Sequence, residues 1–178
     1  MTKLSILALT ALSVTAFAGQ EITASRTTAS STTLVIPREA CFGETELQLD
    51  LFWSSVNSDG PNGDGTGGGL ALTYFYHRYF GFGLDAHATD SEADTVWQGS
   101  AMFVARYPFD FGNLCLAPYF KTAVGVQSED GTNAFLAIGG GIEWRASSRV
   151  GVFAESTFGF MEDREDFVNV RAGLRFVF

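Results

Sequence analysis

From residue 44 to its last residue the chain repeats one pattern, a stretch of alternating apolar and polar side chains followed by a break rich in Gly, Asn, Asp, Pro or Ser. Alternation with period 2 puts the two kinds of side chain on opposite faces of a strand, and no segment here has the 3.6-residue recurrence of an amphipathic helix. Eight strands are predicted, over residues 44–55, 69–76, 80–88, 96–107, 115–126, 134–145, 150–160 and 167–178. A strand that crosses a bilayer needs about 9 to 11 residues, whereas ordinary strands average about 5 to 6. Long connections (57–67, 89–94, 127–133 and 162–166) alternate with short ones (77–79, 108–113 and 146–149). An even number of long strands joined this way predicts an all-β chain, an eight-stranded antiparallel up-and-down transmembrane β-barrel.

Which face carries the charge decides between a soluble and a membrane barrel; the sequence alone allows both, and the strand length, an N-terminal signal and the closing strand favour the membrane one. One face carries Leu47, Leu51, Trp53, Leu72, Phe82, Ile138, Phe158 and Leu174; the other carries charges and glycines. A soluble barrel keeps its apolar face inside, and a membrane barrel turns it toward lipid. With the apolar face outward, Glu46, Asp50, Asp85, Glu143 and Glu155 share the lumen with Arg106, Lys121, Arg145, Arg171 and Arg175. Eight strands leave an interior that side chains just fill, and buried charges are tolerated only when paired. The ten residues are therefore expected to form a structural ionic core; a narrow gated conduit is the functional alternative. Facing is least legible in 96–107, where the alternation is blurred.

Composition narrows the partners. The chain has 20 acidic and 11 basic residues and a formal net charge of −9, with only two lysines, Lys3 and Lys121. At 46% hydrophobic and 17% charged it lacks the signature of disorder, and without clustered cations it is not expected to bind nucleic acid. Residues 1–18 read as a secretory signal peptide: Lys3 is the basic head, 4–14 the apolar run, and Ala16-Phe17-Ala18 the cleavage site. Residues 19–41 form a polar leader, in which Leu34, Val35 and Ile36 are candidates for one short strand or a plug-like contact, and 42–178 form the barrel. With the signal removed the charge becomes −10, and the four long connections alone account for −10, eleven acids against Arg164.

At residues 42–178 the chain resembles the small outer-membrane barrels of the OmpA/OmpX type. The last strand, Val168-Asn169-Val170-Arg171-Ala172-Gly173-Leu174-Arg175-Phe176-Val177-Phe178, alternates and ends in Phe. In that family such a terminus, here Phe178, is the signal that the outer-membrane insertion machinery reads. Arg106-Tyr107-Pro108, Pro118-Tyr119 and the run from Gly139 to Arg145 support the likeness. The resemblance implies a bacterial outer-membrane location, a periplasmic leader and short periplasmic turns. It also implies four surface loops and contact with outer-membrane lipids and lipopolysaccharide. It implies no single activity, since members include anchors, adhesins, defence factors and a few enzymes.

Individual candidates for chemistry are few. His87, beside Thr89, Asp90 and Ser91, is expected near the outer rim, where some barrels that modify lipid A use a His with a Ser and an acid; the match is one of composition only. Gly139-Gly140-Gly141 has no strand-to-helix context and no GK[ST] ending, so it is no phosphate loop. Small residues there make room for larger ones across the barrel. The 57–67 stretch, with Asp59 and Asp64, lacks the spacing and closing Glu of a calcium loop and reads as a flexible loop. No residue is singled out as catalytic, cofactor-binding or metal-ligating; divalent cations at the acidic loops are the one ion partner expected. Cys41 and Cys115 are disulfide candidates in an oxidising compartment. Their strands lie on opposite sides of an eight-strand barrel, beyond the roughly 7 Å a disulfide allows, unless the leader crosses the mouth. The expected role is an integral barrel that anchors and displays acidic loops. The alternatives are a lipid-modifying enzyme built on His87 and a secreted soluble barrel binding a small apolar ligand.

Overall fold

Period-2 alternation becomes a single antiparallel ladder in the computed structural model, which describes residues 41–58, 64–90, 95–111, 114–129, 131–161 and 166–178. The strands are β1 (Glu46–Ser58), β2 (Gly65–His77), β3 (Phe80–Asp90), β4 (Thr95–Arg106), β5 (Phe109–Phe111), β6 (Leu114–Glu129), β7 (Gly131–Arg145), β8 (Val150–Met161) and β9 (Phe167–Val177). Chain neighbours pair throughout except β4 with β5, β1 also pairs with β9, and β4 pairs with β6. Eight of the nine thus close into a barrel, and β5 is a three-residue strand doubled back on the start of β6. The segments expected as signal peptide and polar leader lie outside the described residues up to residue 40, as do most of the acidic residues assigned to loops.

Burial follows the pleat. In β8 the pattern is strictly alternating, with Phe153, Glu155 and Thr157 buried and Val152, Phe158 and Phe160 exposed. The predicted facing holds likewise in β1, β3, β6, β7 and β9. In β4, where alternation is blurred, Val96, Gln98, Ser100, Met102, Val104 and Arg106 point inward and Trp97 and Ala101 outward. Apolar side chains occupy both faces of this strand, so hydrophobicity alone carried no facing signal. A cluster including Phe52, Phe75, Met102, Val104, Tyr119, Phe135, Phe153 and Phe167 fills the lumen between the charged groups.

Three connections are shorter than the sequence suggests. Residues 127–133, expected as an acidic loop, are ladder: Gln127 pairs with Asn133, Ser128 with Thr132 and Glu129 with Gly131. The turn closes on Gly131, whose φ of 145° is open to glycine and rare for other residues. Likewise β2 starts inside the proposed 57–67 loop, with Ser54 opposite Gly67 and Val56 opposite Gly65. β3 runs on through Thr89 and Asp90 to meet Gly67 and Thr66. Polar and glycine-rich sequence reads as loop because it shows no apolar alternation, yet backbone pairing needs only N–H and C=O groups.

Gly141 shows why small residues recur along the inner wall. A Cβ there would stand 2.4 Å from the Ala154 carbonyl oxygen, 2.7 Å from Glu155 Cβ and 2.8 Å from Tyr119 Cζ. At Gly99 the nearest neighbour of such a Cβ, the Asp85 carbonyl oxygen, is 3.9 Å away. Gly141→Ala should therefore destabilise the barrel by about 1–3 kcal/mol through overpacking. Gly99→Ala should stay within about 0.5 kcal/mol of the parent. Urea unfolding midpoints of the two refolded variants check this, and equal midpoints would refute it.

Candidate functional site: the ion-paired interior

The ten charged residues assigned to the lumen all point into it, and all are buried. They fall into two neutral networks. The first runs from the turn end toward mid-barrel. Arg106 Nη1 lies 2.8 Å from Glu46 Oε2, in charge contact, while its Nε donates to the Arg78 carbonyl at 2.8 Å. Arg145 grips Glu46 with both terminal nitrogens, at 2.8 and 2.7 Å, and donates from Nε to Glu143 at 2.5 Å. Glu143 accepts from Arg175 at 2.7 Å, and Arg175 holds Asp50 through Nε and Nη2 at 2.7 and 2.6 Å. Cations and carboxylates alternate along the whole chain, and two of the contacts are bidentate forks, the strongest form of this pair.

The second network sits higher. Lys121 donates to Glu155 Oε1, and the Tyr119 hydroxyl donates to Glu155 Oε2 at 2.8 Å. Arg171 donates to Asp85 at 2.9 Å and stands 3.7 Å from Glu155. Tyr119 joins the two systems, because its ring also lies under the Arg175 guanidinium at 5.5 Å. Further cations sit over rings, Arg106 over Phe75 at 3.8 Å and Arg171 over Phe52 at 4.8 Å. Such stacking lets a guanidinium meet an apolar neighbour without losing its in-plane hydrogen bonds.

His87 is not at the rim. It points inward and is only 2% exposed, with Asp85 at 3.7 Å, Arg171 and Asn169 at 3.4 Å and the Phe52 ring at 5.9 Å. Opposite it in the ladder stands Gly69, where a Cβ would come within 2.3 Å of the His87 Cβ. The histidine thus fills the lumen above Arg171, without the access to lipid that a rim catalyst needs. Strand parity counted from Asp85 gives the inward direction, and β3 continues through Thr89 and Asp90, so His87 stands within the strand and not at its end.

The structure joins Cys41 and Cys115 in a disulfide with Cα atoms 5.8 Å apart. The segment before β1 crosses the mouth, and Phe42, which drew no notice in the sequence, is buried beside Cys115 and Ala117. Also illegible was the pairing of Gln98 with Gln127 at 2.6 Å: the two stand directly opposite each other in the β4–β6 ladder, a register that strand parity alone does not specify. The phenol of Tyr119 was placed inward by alternation, but its partner Glu155 lies two strands away. A cavity of about 10 Å³ between Asp50, Tyr119, Lys121 and Arg175 is the size of a single water site. Phe178 is 75% exposed, and its backbone exchanges hydrogen bonds with Leu47 at 2.9 and 3.2 Å, completing the β1–β9 seam.

Arg175→Leu should cost about 3–5 kcal/mol, because Asp50 is left buried with no cation in contact. Pairing it with Asp50→Leu should recover more than about 1 kcal/mol of that loss, since the two side chains act as a unit. Urea midpoints of the two single variants and the double variant measure the coupling, and strict additivity would show that the pair is not one.

No family model matches the sequence, and no curated protein matches it. Solved structures do. The N-terminal β-barrel domain of OprF from Pseudomonas aeruginosa is similar at a TM-score of 0.57 and 15% identity, over 75% of this chain and 97% of that one. Ail, the attachment invasion locus protein of Yersinia pestis, is similar at a TM-score of 0.51 and 16% identity, over 77% of this chain and 99% of that one. Those chains are covered almost end to end, and what they share with this one at such identity is the path of the backbone. With its ladder closed by β4–β6, its charges inside and its apolar side chains outside, this chain folds as a small eight-stranded barrel of the outer-membrane type.

Proposed function

We propose that the protein is an integral barrel of the bacterial outer membrane that anchors and displays acidic loops and does no chemistry of its own. The observation that carries this reading is the inversion of burial. Leu84, Val124 and Leu70 on the outer wall are 65%, 58% and 52% exposed, while Glu143 inside is 0% exposed. In water the wall would be an apolar patch far larger than the few hundred Å² that soluble monomers tolerate; in a bilayer it meets the solvent it suits. A soluble carrier of an apolar ligand needs the reverse arrangement, and the lumen here is ionic and filled. Exposed aromatics near both ends support residence in a membrane: Tyr74, Tyr76, Phe80 and Tyr107 toward the short turns, Trp53 and Trp97 toward the other end. The partners of this reading are outer-membrane lipids, lipopolysaccharide and the insertion machinery, which would recognise β9 and Phe178.

The folded protein should partition with outer-membrane fractions, require detergent for extraction, and migrate differently on a gel when unboiled. Recovery in a detergent-free soluble fraction would overturn the membrane reading. A second outcome concerns the acidic end. Most of its charge lies in residues outside those described, but Asp64, Asp90 and Asp166 flank the same end. A rim of net charge −10 repels anionic headgroups unless divalent cations bridge them. Chelation should therefore lower the detergent needed for extraction, and an unchanged requirement would remove the bridging cations from the proposal.

A further inference from the structure

We propose that residues 41–44 are a plug over the turn-end mouth of the barrel and that the Cys41–Cys115 disulfide is a releasable latch holding it shut. Cys41 precedes β1, and Cys115 lies on β6, four strands away around the closed ladder in either direction. A Cα separation of 5.8 Å between them requires the intervening segment to span the opening. Phe42 fills that opening: it is 1% exposed, with its ring centre 4.1 Å from the Arg145 guanidinium carbon and 5.1 Å from that of Arg106. The Cys41 carbonyl accepts from Arg145 Nη1 at 2.6 Å, and the Gly43 amide donates to Glu46 Oε1 at 2.5 Å. Beneath this cover the side chains of Arg106 and Arg145 are 0% exposed and that of Glu46 5%.

The latch matters because, among the described residues, little else holds the plug. One phenyl ring with its two flanking cations and two hydrogen bonds stand against the backbone entropy of the whole segment. Guanidiniums and a carboxylate freed of the ring gain water directly at the mouth, which offsets part of what opening loses. With the disulfide formed, the segment is confined beside its seat; with it cut, the seat competes with a freely moving chain.

The opening reaction is thiol–disulfide exchange with a dithiol reductant. A reductant thiolate attacks the sulfur of Cys41, the more exposed of the pair, and Cys115 leaves as a thiolate that takes up a proton. The second reductant thiol then closes on the mixed disulfide and releases Cys41. The Sγ–Sγ bond has gained two electrons and two protons, and the dithiol has become a disulfide. The step opens the Glu46–Arg106–Arg145 cluster to water while the deeper Asp50–Arg175 and Lys121–Glu155 pairs stay closed. The device depends on the turn-end geometry and not on where the barrel resides.

Carboxyl labelling of the folded full-length protein in detergent micelles tests it, with a water-soluble carbodiimide and glycine ethyl ester read by peptide mass spectrometry. Dithiothreitol treatment should raise labelling of Glu46 at least tenfold. Labelling of Glu155 and the unboiled gel band should stay as they were. The Cys41→Ser/Cys115→Ser variant should show the raised labelling without reductant. Three results would overturn the proposal. Glu46 could stay protected although both thiols alkylate with iodoacetamide, so that the plug holds without its latch. The bond could resist the dithiol altogether, so that it is not releasable. Glu155 could become labelled and the folded band disappear, so that the disulfide staples the barrel rather than latching a plug.

Discussion

Moving a carboxylate out of water costs several kcal/mol even after a protein relaxes around it, and among the described residues five of them are enclosed by this barrel. That is tolerable because five cations are enclosed beside them and the contacts alternate in sign along both networks. The remaining features answer to this pairing. Aromatic rings rather than aliphatic chains back the guanidiniums, because a ring face is the apolar surface a planar cation tolerates best. Glycines stand where the wide side chains of Tyr119, Glu155 and His87 press against a neighbouring strand. The outer wall becomes apolar by elimination, since each strand has only two faces and one is committed to charge.

Two neutral networks give the lumen a graded construction. The lower one is dominated by forked arginine contacts, in which both partners are planar and geometry is tightly specified. The upper one is built on single contacts from Lys121 and Arg171, with Tyr119, His87 and Asn169 completing it through neutral groups. A buried ionic system of this kind specifies register, because a strand shifted by one residue would turn its charges outward. Stability is contributed more by the rings packed between the charges and by the continuous backbone ladder.

Much of the arrangement was legible in the sequence because one number, the strand period, fixes the side of every residue once one residue is placed. That is why Glu46, Asp50, Glu143, Arg171 and Arg175 could be assigned to the lumen without knowing their partners. Which cation meets which carboxylate was not legible, since contacts such as Arg171 to Asp85 cross from β9 to β3 and depend on stagger and tilt. Strand ends were misread for a related reason. At Gly65, Thr132 and Asn133 the side chains have lost the apolar signal while the backbone continues to pair. The Phe42 seat was hidden because a single aromatic outside a periodic segment has no side to be assigned to. The disulfide constrained it only once the path across the mouth was seen.

The long β6–β7 hairpin alters what the loop end presents to its surroundings. With 16- and 15-residue strands meeting at a turn on Gly131, this side of the rim is a stiff two-stranded ribbon. Its cross-strand pairs run unbroken from Glu129–Gly131 to Cys115–Arg145, so a load applied at its tip passes along one continuous ladder into the barrel wall.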